Sequence, residues 1–133
     1  MKILICALLC CSQLYAENYN DASKYKILYA RVTYYWPGSS GQVRNITSTG
    51  QKAVCGKSAA VDPKLIPYGS TIYIPAMKSV VKANDTGSAV QRRTASKVLG
   101  RNEPVIDIFC SSKAKAYEKI KKYPMVMKIH VKK

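Results

Sequence analysis

Lys26-Ile27-Leu28-Tyr29-Ala30-Arg31-Val32-Thr33-Tyr34-Tyr35-Trp36 is a run of β-branched and aromatic residues that stops at Pro37-Gly38. Such residues pack well on a pleated, half-buried surface, so the stretch predicts a β-strand. Working outward, the same signature recurs in shorter pieces. Residues 70–74 form a strand ended by Pro75, and residues 79–83 and 105–110 form two more. Residues 125–131 alternate apolar and basic side chains, as a half-buried strand does. Turn clusters at 37–41, 47–50 and 67–69 separate these pieces. Short strands with frequent turns predict an all-β domain, a small barrel or a sandwich, with one or two short helices. One helix is expected over 113–122, with Ser111-Ser112 as its cap and Ala116, Ile120 and Tyr117 as its buried stripe. A second helical turn is expected within 91–99, stopped by Gly100. It lies in a segment, 88–104, that reads as an insertion carrying Arg92, Arg93, Lys97 and Arg101.

Three aspartates break these apolar runs. Asp62 follows Ala59-Ala60-Val61, Asp85 follows Val81-Lys82-Ala83-Asn84, and Asp107 sits in Val105-Ile106-Asp107-Ile108-Phe109. The chain has only 7 acidic residues against 22 basic ones, so three acids in apolar context are conspicuous. A carboxylate leaves water at a cost unless it is hydrogen-bonded, paired or protonated. The pattern points to a carboxyl cluster with raised or split pKa values, as general acid/base chemistry needs. Bland readings compete. Asn84-Asp85-Thr86-Gly87 has turn chemistry and Asp62-Pro63 is a common turn bond. Ile106-Asp107-Ile108 has no such excuse.

The N-terminus predicts export. Lys2 precedes an apolar run from Ile3 to Cys11, then Ser12-Gln13-Leu14-Tyr15-Ala16 and a polar stretch. This is the pattern of a signal peptide at 1–16, cleaved after Ala16. The run is too short to span a bilayer, so no membrane span is expected. Lipidation at Cys10 or Cys11 is the lesser alternative. Residues 17–25 read as a polar leader and 26–133 as one domain. Cys6, Cys10 and Cys11 leave with the signal, and the mature chain keeps Cys55 and Cys110. In an oxidising compartment an even pair is expected to bond. Two cysteines and the single His130, an ordinary strand residue on this reading, make no metal site, and no cofactor is implied.

The net charge of +15 favours polyanionic partners: nucleic acid, anionic lipid or an acidic wall glycan. A merely solvated basic surface is the competing explanation.

Ala60-Val61-Asp62-Pro63-Lys64-Leu65-Ile66-Pro67-Tyr68-Gly69-Ser70, then Asn84-Asp85-Thr86-Gly87, then Ile106-Asp107-Ile108-Phe109, resembles the 3D domain, named for its three aspartates. That domain is similar to the catalytic part of MltA-type lytic transglycosylases and of stationary-phase survival proteins. The resemblance covers roughly residues 30–132. It implies a six-stranded double-psi β-barrel acting on peptidoglycan glycan strands, by cleavage between MurNAc and GlcNAc with closure of a 1,6-anhydro ring. It also implies Asp107 as the catalytic acid, Asp85 as the second aspartate beside it, and Asp62 as the first, nearby and more structural. Either Thr47 or Thr49, before Gly50, matches a threonine turn lining the site. Two departures stand out. Ser88 follows Asp-Thr-Gly where the family has another Gly, and the insertion roughly doubles the spacing to the last Asp.

Tyr34, Tyr35 and Trp36 are candidates to stack on sugar faces, although strand alternation sends at least one of them into the core. Arg92 and Arg93 are candidates to extend the groove. A Cys55–Cys110 bond would brace the strand of Asp107. The alternative function is a non-catalytic wall-glycan-binding module on the same barrel, as in expansin-like and RlpA-like proteins. A nucleic-acid binder is disfavoured, because it would not place acids in its groove. The expected protein is a monomer, exported and associated with the cell wall.

Overall fold

The computed structural model describes residues 17–39 and 45–133. The expected signal peptide therefore lies outside the described residues. Six strands form: β1 (Tyr25–Tyr35), β2 (Ser58–Ala60), β3 (Thr71–Ile74), β4 (Ser79–Asp85), β5 (Val105–Phe109) and β6 (Val126–Lys132). They close into a barrel in the order β1-β5-β2-β4-β3-β6, with β6 returning to β1. Two neighbouring pairs are parallel, β1 with β5 and β2 with β4, and the others are antiparallel. The chain leaving β1 must cross β5 to reach β2. The chain leaving β4 must cross β2 to reach β5. These two interlocked crossings make the double-psi barrel.

The interior follows from period-2 alternation. Ala30 and Val32 of β1, Ile72 and Ile74 of β3, Ile106 and Ile108 of β5, and Met127 and Ile129 of β6 all point inward and are essentially excluded from water. Each buried branched side chain contributes roughly 1.5–3 kcal/mol. The residues between them face outward, which places Thr33, Tyr35 and Asp107 on one external face.

β2 has no counterpart among the expected strands. Ser58-Ala59-Ala60 carries no β-branched or aromatic signal, yet it is fully buried and paired on both edges. Three short helices form where one or two were expected: α1 (Ser88–Gln91), α2 (Thr94–Lys97) and α3 (Lys113–Lys122), besides a 3₁₀ turn at Pro75–Met77. The Ser112 hydroxyl caps α3 by accepting the Lys115 N–H at 3.3 Å. Of the expected buried stripe only Ala116 is buried. Tyr117 and Ile120 remain 47% and 48% exposed, a correction taken up below.

Of residues 17–25, expected to be a leader apart from the domain, Tyr25 opens β1 and the residues before it reach the barrel. Tyr19 stacks on Tyr73 with ring centres 3.8 Å apart, and its carbonyl meets the buried His130 ring. Glu17 bonds Tyr25 and pairs with Lys132. Among the described residues no helix is long and apolar enough to cross a membrane.

Candidate active site

Register brings the two acids together. Ala60 of β2 pairs with Asp107 of β5 on one edge and with Asp85 of β4 on the other. Residues aligned across adjacent strands share a face, so both carboxyls emerge on the outer side of the barrel, flanking a residue with almost no side chain. They line one cleft of about 290 Å³ together with Tyr35, Ala60 and the Thr86–Val90 turn.

Asp107 is the only residue of β5 that is not buried. The Thr33 hydroxyl, its register partner on β1, donates to Oδ1 at 2.9 Å. Desolvation pushes the Asp107 pKa up to about 6. The Thr33 hydrogen bond works against that rise, and the negative charge of Asp85 adds to it. Asp107 therefore remains protonated into the mildly acidic range and can both give and take a proton near neutrality.

Asp85 is a fixed acceptor. It is 2% exposed. Its Oδ2 receives the Tyr35 hydroxyl at 2.7 Å, and its Oδ1 receives the Ser48 N–H at 2.8 Å and the Thr86 N–H at 2.9 Å. Burial raises the Tyr35 pKa far above the usual phenol range, helped by the bond to Asp85, so its hydroxyl stays a donor. Tyr35, expected to stack on sugar, is seen here to hold Asp85 in place.

The other expected site residues lie around this pair rather than in it. Asp62 is not part of the cleft lining. Its Oδ1 accepts the Lys64 N–H at 3.0 Å and its carbonyl accepts from Leu65 and Ile66, so it organises a turn. Thr47 and Thr49 bond each other at 3.0 Å, and Thr49 donates to the Asn84 carbonyl at 2.7 Å. They fix the loop that delivers the Ser48 N–H but do not line the cleft. Trp36 lies beside Tyr117 of α3. Arg92 is exposed, and Arg93 gives its guanidinium to the Asn102 carbonyl. The 88–104 segment shapes the cleft through Ser88, Ala89 and Val90 rather than through arginines. Val90 packs with Ala60 and Val105, closing that wall.

Thr33 and Ser48 were not legible as site residues. Their roles depend on the parallel β1–β5 register and on a loop crossing, which no local motif reports. Among the described residues no three His, Cys, Asp or Glu side chains converge as a metal site requires. Cys55 and Cys110 are both thiols in this structure, one exposed and one buried. They are neighbours: the Ser111 N–H lies 3.3 Å from the Cys55 sulfur, and Gly56 N–H bonds the Phe109 carbonyl at 2.8 Å. Burial, with a lesser contribution from Cys55, pushes the Cys110 thiol up to about 11.

A six-stranded double-psi barrel with a carboxylic acid and a buried carboxylate in one outer cleft defines a class of protein. The 3D domain profile matches residues 57–130, and the chain belongs to that family. Among solved structures the chain is similar to MltA from E. coli, with 18% identity and a TM-score of 0.44 over 66% of this chain. It is also similar to LtgG, a lytic transglycosylase of Burkholderia pseudomallei, with 20% identity and a TM-score of 0.43 over 67% of this chain. This chain spans only 27% and 26% of those two proteins. No curated protein matches it.

Because the Thr33 bond opposes the rise in the Asp107 pKa, Thr33→Val should raise that pKa further above about 6. Titration of the Asp107 carboxyl by NMR checks this, and an unchanged or lowered value contradicts it.

Proposed function

We propose that the protein is a peptidoglycan lytic transglycosylase in which Asp107 is both acid and base. The observation that carries this reading is the pairing of a half-desolvated, protonatable Asp107 with a buried, fully hydrogen-bonded Asp85 in one cleft. Ordinary glycoside hydrolysis needs a second carboxyl to activate water or to attack the sugar. Asp85 is poorly placed for either, since three donors already occupy its oxygens. Transglycosylation needs one proton-transfer residue. Asp107 protonates the glycosidic oxygen as its bond to C1 breaks. The 6-hydroxyl of the same muramic acid attacks C1, forms the 1,6-anhydro ring and returns its proton to Asp107. An intramolecular hydroxyl has a high effective concentration, so no activated water is required. The acid form must be present at the start, so cleavage should decline as pH rises through about 6. Rates measured from about pH 4.5 to about pH 8 on purified sacculi, an interval that brackets this pKa, test it. A rate that rises across that interval contradicts it.

Residues 1–16 are read as a signal peptide, which puts the mature chain in the cell envelope with its substrate. In that oxidising setting Cys55 and Cys110 are proposed to bond, tying the β1–β2 connection to the end of the Asp107 strand. Intact mass of protein purified from its native compartment, before and after reduction and alkylation, should show a deficit of about 2 Da, the mass of the two hydrogens lost when two thiols bond. Two freely alkylated thiols contradict the bond. The +15 charge should make sacculus binding weaken steeply from low to physiological salt. Salt-independent binding would mean the charge plays no part in capture.

A further inference from the structure

Helix α3 turns its apolar residues outward. Tyr117 and Ile120, three apart and on one side, are about half exposed, and only Ala116 faces the barrel. An amphipathic helix ordinarily buries that stripe. Lys113 and Lys121 stand four residues before and after Tyr117, so the three share a face along about 12 Å of helix. The Lys113 ammonium lies 5.6 Å from the Tyr117 ring centre, and Trp36 lies 6.2 Å from it on the other element. Among the described residues none of the α3 lysines is in a salt bridge. Trp36 directly follows Tyr35, which lines the cleft, but neither Trp36 nor Tyr117 is part of the cleft lining.

We propose that Trp36 and Tyr117, flanked by Lys113 and Lys121, form an accessory subsite, outside the cleft, for a peptide-bearing, anionic glycan strand. Aromatic faces offer a platform for the C–H face of a sugar ring. Ammonium groups on either side match the carboxylates of the stem peptides carried at intervals along the glycan. The complementary charge of the patch selects this occupant, since no salt bridge among the described residues neutralises its lysines. The inference rests on the substrate class proposed above but is read by binding, not by turnover.

The experiment uses Asp107→Asn protein, so that the glycan is not consumed, and measures co-sedimentation with purified peptidoglycan sacculi. Adding Tyr117→Ala should weaken binding about tenfold, Tyr117→Phe should restore it, and Lys113→Gln with Lys121→Gln should weaken it and flatten its salt dependence. Tyr117 is about half exposed and lies outside the barrel core, so thermal melting of each variant should change little and separates loss of fold from loss of binding. Equal binding by the Tyr117→Ala protein overturns the subsite, as does absence of sacculus binding by the parent. Loss of binding to phosphatidylglycerol vesicles, with sacculus binding intact, overturns it in favour of a membrane-facing patch. None of these outcomes depends on whether anhydro products form, so failure of the subsite and failure of the catalytic reading are distinguishable.

Discussion

Asp107→Asn should lower anhydromuropeptide release by about 10²–10⁴-fold, the usual contribution of a positioned acid/base, while the barrel should still fold and bind sacculi. The amide keeps the shape of the carboxyl and can still accept the Thr33 hydroxyl, but it has no proton to transfer. The same variant should be more stable than the parent at neutral pH. In the folded protein the Asp107 pKa stands above its unfolded value of 3.8, at about 6. Its favourable contribution is therefore complete below about 4 and is lost as pH rises through about 6. Removing the charge should raise stability by up to about 2–3 kcal/mol at about pH 7.5 and change little near about pH 3.5. Urea unfolding at the two pH values checks this. A variant less stable than the parent at the higher pH contradicts the desolvated placement of Asp107.

Asp85 carries the second large effect, and its two substitutions should separate. Asp85→Ala strips the acceptor from the Tyr35 hydroxyl and from the Ser48 and Thr86 N–H groups in a buried site. Each stranded donor costs about 1–3 kcal/mol, so with three of them a loss of at least roughly 3 kcal/mol is expected. In Asp85→Asn the amide oxygen can keep both N–H groups. The NH₂ then takes the place of Oδ2, and the Tyr35 hydroxyl turns to accept from it. That variant should fold. It also removes the charge that helps raise Asp107, so the Asp107 pKa should fall and the pH–rate profile should move to lower pH. Asp85→Asn with an unshifted profile would show that the two acids do not interact.

What the chain reveals by itself follows from how local each signal is. Strands β1, β3, β4, β5 and β6 are legible because β-branched residues at period 2 record burial directly, and α3 is legible from its cap and lysine-rich repeat. β2 is not, because Ser58-Ala59-Ala60 has no β-branched or aromatic residue and becomes a strand only by pairing with β4 and β5. The 17–25 segment looks like a leader because its composition is polar, yet Tyr25 belongs to β1, and one aromatic stack and one buried histidine hold the rest against the barrel. At the site, Asp85 and Asp107 stand out as acids within apolar runs. Thr33 and Ser48 do not, because an ordinary threonine and a backbone N–H acquire their roles only when the barrel closes. The arginines of the 88–104 segment drew notice by charge, while its small residues Ser88 and Ala89 form the cleft wall.

The central claim is that one carboxyl group, Asp107, cuts the glycan without water. Mass spectrometry of the soluble fragments released from purified sacculi by the mature protein tests it most directly. The predicted products end in 1,6-anhydromuramic acid, lighter by one water than reducing-end fragments, and they vanish with Asp107→Asn. Fragments with free reducing ends would contradict the account, since they demand a hydrolase with a second working carboxylate.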